Sequence, residues 1–149
     1  MLISDICDHH VITIEKDKSL TEAAKLMREH HVGDVIVVEK KGNKLFPLGI
    51  VTDRDVVIEV VATELETDVI TTGDIMLQKL IVVRDDAGLL ETSKLMASKG
   101  VRRLPVVSKS GELIGIVTLD DLLEITANIF FNLTKSLTNE QKHEFKSRR

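Results

Sequence analysis

The chain has 149 residues, of which 43% are hydrophobic and 30% are charged, a composition typical of a folded globular protein. Its formal charge of −4 and the absence of Trp and Tyr argue against a nucleic-acid-binding surface. Cys7 is the single cysteine, so neither a disulfide framework nor a cysteine metal site is expected. The N-terminus lacks the pattern of a signal peptide, and the apolar runs are too short to cross a membrane. We therefore expect a cytoplasmic protein.

The first half of the chain predicts the element order β-α-β-β-α. Val11–Ile14 is a β-branched run that indicates a short strand. Ser19 and Glu22 have the spacing of a capping box, which predicts a helix that continues to about His30. The remaining predicted elements are strands at 35–38 and 45–51, a turn at 40–44, and a helix at 53–63.

The second half repeats this order with matching residues. The matched pairs are Met27 with Met96 and Val32 with Val101, 69 residues apart, and Gly49 with Gly115 and Thr52 with Thr118, 66 residues apart. The difference falls in the hairpin turn, where insertions cost least. Each half is too small to bury a full core alone, so the halves should pack on one another. We predict an α/β (α+β) protein of two pseudo-symmetric repeats packed through their sheets.

The repeats are assigned to residues 1–66 and 67–125, which leaves residues 126–149 as a helical tail. Ile129 and Leu133 continue an apolar helical stripe from the second repeat, with Phe130 and Phe131 beside it. The stripe could cover the protein's own core or a partner chain, and we favour the partner. The capping-box spacing at 138–141 predicts a separate short helix at the end.

One sequence pattern, which predicts a strand that ends at a Thr and turns directly into a helix, occurs twice. We call each copy a corner: Gly-Ile-Val-Thr-Asp-Arg-Asp at 49–55 and Gly-Ile-Val-Thr-Leu-Asp-Asp at 115–121. Together with the element order and the Arg-Arg-Leu-Pro-Val-Val run at 102–107, these corners resemble the CBS domain, named after cystathionine β-synthase. The resemblance covers about residues 1–125. Two such domains in tandem resemble a Bateman module, and here the pair would stand without an effector domain.

The polar residues of the two corners, Thr52 with Asp55 and Thr118 with Asp121, allow two interpretations. The T-x-x-D spacing caps a helix start, which needs no ligand. A carboxylate is also suited to accept both donors of a ribose cis-diol. The resemblance favours the second interpretation, because this Thr and this Asp are typical nucleoside contacts in CBS domains.

Arg102 and Arg103 precede a predicted strand, where they could be solvated edge charges or phosphate ligands. The resemblance implies a phosphate contact near Arg103. The first repeat carries Gly33 and Asp34 at these positions. The two ligand clefts that the resemblance implies between the repeats should therefore be unequal. Whether Arg103 serves the corner of Asp55 or that of Asp121 stays open.

The first strands of the two repeats, around Ile12 and Ile81, have two possible roles. They are apolar enough to be core strands. The resemblance implies that they also line an adenine pocket. Both roles can hold at once, because backbone groups can form hydrogen bonds with the base while the side chains pack in the core.

The sequence offers no catalytic or metal constellation. The pairs at 9–10 and 30–31 are adjacent histidines, which point apart on a strand or helix and do not chelate. No nucleophile elbow, P-loop or G-x-G-x-x-G motif is present.

The absence of a catalytic constellation and the adenosine-containing ligands that the resemblance implies lead us to predict a non-enzymatic sensor. It requires no cofactor and binds AMP, ADP or ATP in a cleft between the repeats, with S-adenosylmethionine or NAD as further possibilities. The resemblance also implies a homodimer, which we expect to act on an unidentified effector protein, with no nucleic acid and no membrane. The alternative is a structural or interaction module that binds no ligand.

Overall fold

In the computed structural model, residues 1–76 and 79–148 are described, and they form two similar three-stranded sheets. The first sheet contains β1 (Thr13–Glu15), β2 (Asp34–Lys41) and β3 (Lys44–Thr52). The second contains β4 (Val83–Arg84), β5 (Arg103–Val107) and β6 (Leu113–Thr118). In each sheet the first strand runs parallel and the third antiparallel to the second. The predicted duplication and fold class are confirmed.

The helices follow the predicted order, with one change of geometry. They are α1 (Leu20–His30), α2 (Asp53–Val56), α3 (Thr72–Ile75), α4 (Leu89–Lys99) and α5 (Leu119–Ser147), with a short 3₁₀ turn at Ile3–Asp5. The capping box predicted at Ser19 is confirmed, since its Oγ accepts from the amide of Glu22. After α2 the chain continues as a π-helix over Val57–Val61, in place of the uniform α-helix predicted there.

Two strands begin later than the sequence predicts. β1 begins at Thr13 rather than at Val11, although the carbonyl of Ile12 still accepts a hydrogen bond from the amide of Ile36 at 3.0 Å. β4 likewise begins at Val83. The residues just before these strands are therefore connecting backbone that reaches the interface between the repeats.

Each repeat is completed by the lead-in segment of the other. The amide of Ile3 donates to the carbonyl of Ala87, and Asp8 forms a two-way bridge with Ile116, with both N···O distances 2.9 Å. Ile3 and Cys7 are buried in the core of the second repeat. The segment 70–76 mirrors this arrangement and packs on the first repeat, where the Thr72 hydroxyl donates to the Glu15 carbonyl at 2.8 Å.

The corner glycines permit this crossing. A β-carbon on Gly115 would lie 2.7 Å from both the carbonyl oxygen of Asp8 and the Sγ of Cys7, and one on Gly49 would lie 2.8 Å from the Sδ of Met76. Both glycines sit opposite a β-bulge, which shifts the register at equivalent places in the two hairpins. A larger residue would push the lead-in off the sheet.

The C-terminal segment differs from the prediction of a separate final helix. α5 runs unbroken to Ser147, with no Gly or Pro to end it, and the Thr138 hydroxyl donates to the Thr134 carbonyl within the helix. Leu122 is buried, whereas Ile129, Phe130 and Leu133 are exposed. No helix in residues 1–76 or 79–148 combines the length and hydrophobicity that crossing a bilayer demands.

Candidate functional site

Both predicted corners form capping boxes at the start of a helix. The amide of Asp55 donates to Thr52 Oγ1 at 3.1 Å, and the amide of Thr52 donates to Asp55 Oδ2 at 2.8 Å. At the second corner the corresponding distances are 3.2 Å and 2.7 Å, and the Thr118 hydroxyl also lies 2.7 Å from Asp121 Oδ2. The capping interpretation is therefore correct for both pairs.

Capping leaves part of each carboxylate available. Every side-chain hydrogen bond that Asp55 and Asp121 accept within the described residues goes to Oδ2. The second oxygen of each carboxylate can still accept a hydrogen bond from a ligand. Capping and ligand binding are thus compatible at the same residue.

One cleft between the repeats contains the second corner, and we call it the acidic cleft. It has a volume of about 170 Å³ and is lined by Asp8, His10, Val11, Ile12, Val32, Asp34, Ile116, Thr118 and Asp121. The aliphatic residues come from both repeats and form its walls. The structure thus brings the predicted Ile12 together with Thr118 and Asp121, which lie more than a hundred residues further along the chain.

The equivalent cleft of the other repeat, which we call the basic cleft, has a smaller volume. It has a volume of about 50 Å³ and is lined by Ile50, Lys79, Leu80, Ile81, Val101, Arg103 and Pro105. The predicted Ile81 and Arg103 are therefore neighbours. Thr52 and Asp55 do not line this cleft, but Ile50 lies two residues before Thr52 on β3 and so faces the same side of the sheet.

The two clefts carry different charges at matching positions. With the 69-residue separation of the repeats, His10 corresponds to Lys79 and Asp34 to Arg103. The acidic cleft also contains Asp8 and Asp121. Asp34 belongs to the first repeat, yet it lines the acidic cleft, which contains the second corner, and not the basic cleft.

Asp34 and Arg103 form an ion pair between the clefts. Arg103 Nη1 lies 2.7 Å from Asp34 Oδ2, and the side chains are only 32% and 17% exposed. Burial raises the pKa of the Asp34 carboxyl above its ordinary value; the Arg103 guanidinium opposes this rise, and the Asp53 carboxylate adds to it. The effect of burial on the pKa of Asp34 thus outweighs the opposite effect of the Arg103 guanidinium.

Arg102, the other predicted phosphate ligand, lies in neither cleft. Its side chain is 72% exposed, and its Nη2 lies 3.7 Å from Asp120 Oδ1 on the surface. Its position matches the solvated-charge interpretation.

Several lining residues are absent from the sequence-based set of sites. Asp8 and Lys79 belong to lead-in segments, and local patterns do not predict that these segments cross. Val32 and Val101 are a matched pair of the repeat, but nothing in their spacing indicates a cleft. The useful signal is the repeat itself, since residues at matched positions line matched clefts.

The histidine and cysteine side chains do not assemble a metal centre in the described ranges 1–76 and 79–148, where no group of three potential ligands occurs. Cys7 Sγ lies 4.0 Å from His9 Nδ1. Burial raises the pKa of the Cys7 thiol above its ordinary value, which favours the protonated form. His30 ends α1, and His31 is its left-handed C-cap.

Comparison with known proteins decides the family. The sequence profile of the CBS domain matches residues 3–62 and residues 73–128. The chain belongs to the CBS domain family. Its two CBS domains form a tandem pair, so the protein is a Bateman module with a long helix, α5, at its C-terminal end.

The chain is similar to curated proteins and to solved structures over most of its length. An uncharacterized protein of Methanopyrus kandleri is 37% identical over 140 residues, which cover 94% of this CBS pair and 70% of that protein. The crystal structure of Hypoxic Response Protein I, which has two coordinated zinc ions, superposes with a TM-score of 0.71 at 32% identity, covering 83% of this chain and 98% of that chain.

One similar structure contains ligands. It is a CBS domain pair in complex with 5′-methylthioadenosine and S-adenosyl-L-methionine, and it superposes with a TM-score of 0.75 at 25% identity. The superposition covers 86% of this chain and 97% of that chain. That protein is thus a CBS pair that binds adenosine-containing molecules.

Proposed function

We propose that this protein is a non-enzymatic regulatory module that binds an adenosine-containing ligand in a cleft between its CBS domains. The observation that carries the proposal is the acidic cleft, which Thr118 and Asp121 line together with Val11 and Ile12, the residues just before β1 of the other repeat. The alternative, a module that binds no ligand, is the outcome against which the proposal is tested.

The lining of the acidic cleft suits the two ends of a nucleoside. Its aliphatic walls, which include Ile12 and Ile116, can hold a flat base. The carboxylate of Asp121 can accept the paired donors of a ribose through the oxygen that capping leaves available. A charge-assisted hydrogen bond of this kind contributes about 1.5–3 kcal/mol.

The solved CBS pair with 5′-methylthioadenosine and S-adenosyl-L-methionine supports the ligand class. AMP, ADP, ATP and NAD share the adenosine part and stay in the set to be tested. No catalytic role is proposed for any residue, because both corner carboxylates are explained by capping and ligand contact.

Signalling would use the interface between the repeats. Both clefts combine residues from the two repeats, and Asp34 and Arg103 join the repeats between the clefts. A ligand changes the equilibrium only if it binds two arrangements of the repeats unequally. We propose that occupancy of the acidic cleft changes the packing of the repeats and so the surface offered to a partner protein.

A homodimer is the proposed assembly. Val57 and Leu123, which match at the 66-residue separation, are each 57% exposed on the helices that follow the two corners. The exposed Phe130 and Phe131 extend this apolar surface along α5. Light scattering should give twice the chain mass, and Phe130→Glu should favour the monomer if α5 lies in the interface.

Calorimetry with an adenosine panel tests the function. Adenosine, AMP, ADP, ATP, S-adenosylmethionine and NAD are titrated into the full chain, and at least one should bind. Asp121→Ala should weaken binding by about tenfold or more, as expected for loss of a charge-assisted contact.

Asp74→Ala is the matched control for this test. Asp74 caps α3 with the same geometry, its Oδ2 accepting from the Thr71 amide at 2.9 Å, yet it lines neither cleft. Binding by this variant should equal that of the wild type. No binding of any panel member to the wild type, or an equal loss in both variants, would overturn the proposal.

A further inference from the structure

The acidic and basic clefts place opposite charges at the same position of the repeat. Asp34 lines the acidic cleft where Arg103 lines the basic one. A ligand that suits one cleft electrostatically is therefore poorly suited to the other. Each cleft can therefore select its ligand by the charge of the group attached to the nucleoside.

The acidic cleft presents carboxylates from three separate segments. Asp8 belongs to the crossing lead-in, Asp34 begins β2, and Asp121 lies in the first turn of α5. Among the described lining residues, His10 alone can carry a positive charge, and its Nδ1 lies 3.6 Å from Asp8 Oδ1. Arg103 reaches Asp34 but lines the other cleft.

Even with Arg103 balancing Asp34, the acidic cleft keeps an excess of negative charge. Asp8 is exposed and its field is screened by solvent, whereas Asp121 is half-buried. Burial already raises the pKa of the Asp34 carboxyl, and a further negative charge nearby would raise it more. A phosphate in this cleft would meet repulsion, and the described lining offers no guanidinium or ammonium group to receive it.

The size of the cleft also limits the ligand. Its volume of about 170 Å³ is smaller than the roughly 300–1,000 Å³ typical of drug-sized ligand pockets. It therefore favours a single nucleoside over a dinucleotide.

We propose that the acidic cleft selects an adenosine-type nucleoside whose 5′ substituent is positively charged or neutral, and that it disfavours nucleoside phosphates. This inference rests on the proposed function and names the ligand class of the same site. Asp34 and Asp8 act as specificity-determining residues. Asp121 supplies the ribose contact, which is the same whether the 5′ substituent is positively charged, neutral or negatively charged.

Three ligands that differ only at the 5′ position test the selection. These are 5′-amino-5′-deoxyadenosine, a cation at about pH 7, then neutral adenosine, and then AMP, an anion. Calorimetry on the full chain should show affinity falling in that order, with the cation binding at least about tenfold more tightly than AMP at low salt. The difference should shrink as salt is raised, because the charges become screened.

Variants assign the binding to a cleft. Asp121→Ala should weaken binding of the cation, whereas Asp55→Ala, at the corner of the other repeat, should leave it unchanged. Asp34→Asn keeps the shape of the side chain and removes its charge, so the ratio of cation to AMP affinity should fall by about threefold or more. Asp8→Asn gives an independent and smaller decrease in the same ratio, since Asp8 is exposed.

The outcomes separate this inference from the proposed function. If AMP binds as tightly as the cation and is lost in Asp121→Ala, the cleft binds nucleosides without this selection, and the inference is wrong while the function stands. The inference is also wrong if Asp34→Asn and Asp8→Asn both leave the ratio of affinities unchanged. If none of the three ligands binds at Asp121, the proposed function of this cleft and the inference are both overturned.

Discussion

Asp34 and Arg103 hold equivalent positions in the two CBS domains and meet each other at the interface, with Asp34 Oδ2 and Arg103 Nη1 2.7 Å apart. The pseudo-twofold relation thus turns a difference between the repeats into an ion pair. The pair joins the two domains and separates two clefts of unlike charge.

Removing the cation of this pair should destabilise the fold. Arg103→Ala leaves the largely buried Asp34 without its counter-ion, and we expect a loss of about 1–3 kcal/mol, below the value for a fully buried pair because Arg103 is partly exposed. Urea unfolding measures the change. Arg102→Ala is the control, with an expected change within about 0.5 kcal/mol, since its pair with Asp120 is on the surface. Equal losses in the two variants would contradict the assignment.

The raised pKa of Asp34 predicts a specific pH dependence. The folded protein holds a proton on Asp34 more tightly than the unfolded chain, so this group's contribution to stability falls as pH rises from the ordinary aspartate value, about 4, through the raised value. Relative to Asp34→Asn, the wild type should therefore lose stability as pH increases across this window. Unfolding midpoints at several pH values measure the difference.

Asp74 gives the opposite sign and serves as the control for that titration. A hydrogen bond from the Thr71 backbone lowers the pKa of Asp74 below its ordinary value. Its contribution is present above the ordinary aspartate pKa and is lost as pH falls through the lowered value. Relative to Asp74→Asn, the wild type should gain stability as pH rises. If the wild type gained stability with rising pH relative to both variants, a raised pKa of Asp34 would be contradicted.

The close approach at the corner should make Gly115 intolerant of a side chain. In Gly115→Ala the new β-carbon would meet the Asp8 carbonyl oxygen and Cys7 Sγ, each 2.7 Å away, and the displaced lead-in should cost about 1–3 kcal/mol. Gly88→Ser is the control, because no described atom beyond its two chain neighbours lies within 4 Å of its added β-carbon and serine is a favoured N-cap for α4. Thermal unfolding of the two variants should show a loss only at Gly115.

The crossed lead-ins predict where an N-terminal substitution acts. Ile3 is fully buried in the second repeat, so Ile3→Ala should cost about 2–5 kcal/mol and loosen that repeat first. Hydrogen exchange should show lost protection in β5 and β6 before β2 and β3. Leu2→Ala, at an exposed neighbour, is the matched control. Loss of protection confined to the first repeat would contradict the crossing.

The sequence predicts what local patterns and the duplication determine. β-branched runs and capping spacings locate the hairpins and helix starts, and the matched glycines and threonines align the repeats. Local patterns do not determine which repeat a lead-in packs on, because that depends on distant contacts such as those of Ile3 and Ala87. The same limit applies to the final helix, since the polar pattern at Thr138 fits a helix interior as well as a helix start.

The candidate site follows the same division. Thr118 and Asp121 are predicted from their corner, and Ile12 from the predicted first strand, although Ile12 lies just before β1. The ion-pair partner of Arg103 is not predicted from the sequence, because the oppositely charged residues at equivalent positions meet only after the repeats pack. The cap also explains why spacing alone could not distinguish a helix start from a ligand contact: the same carboxylate has one oxygen for each purpose.

Methyl resonances of the isoleucines give the most direct test of the inter-repeat site. Ile12 and Ile116 line the acidic cleft, Ile50 and Ile81 line the basic cleft, and Ile3 and Ile14 lie in the two cores. Titration with adenosine should shift the methyl signals of Ile12 and Ile116 most strongly, with small changes at Ile3 and Ile14. Saturable binding that leaves Ile12 and Ile116 unshifted, or no binding of adenosine or of any other member of the panel, would contradict the proposed site.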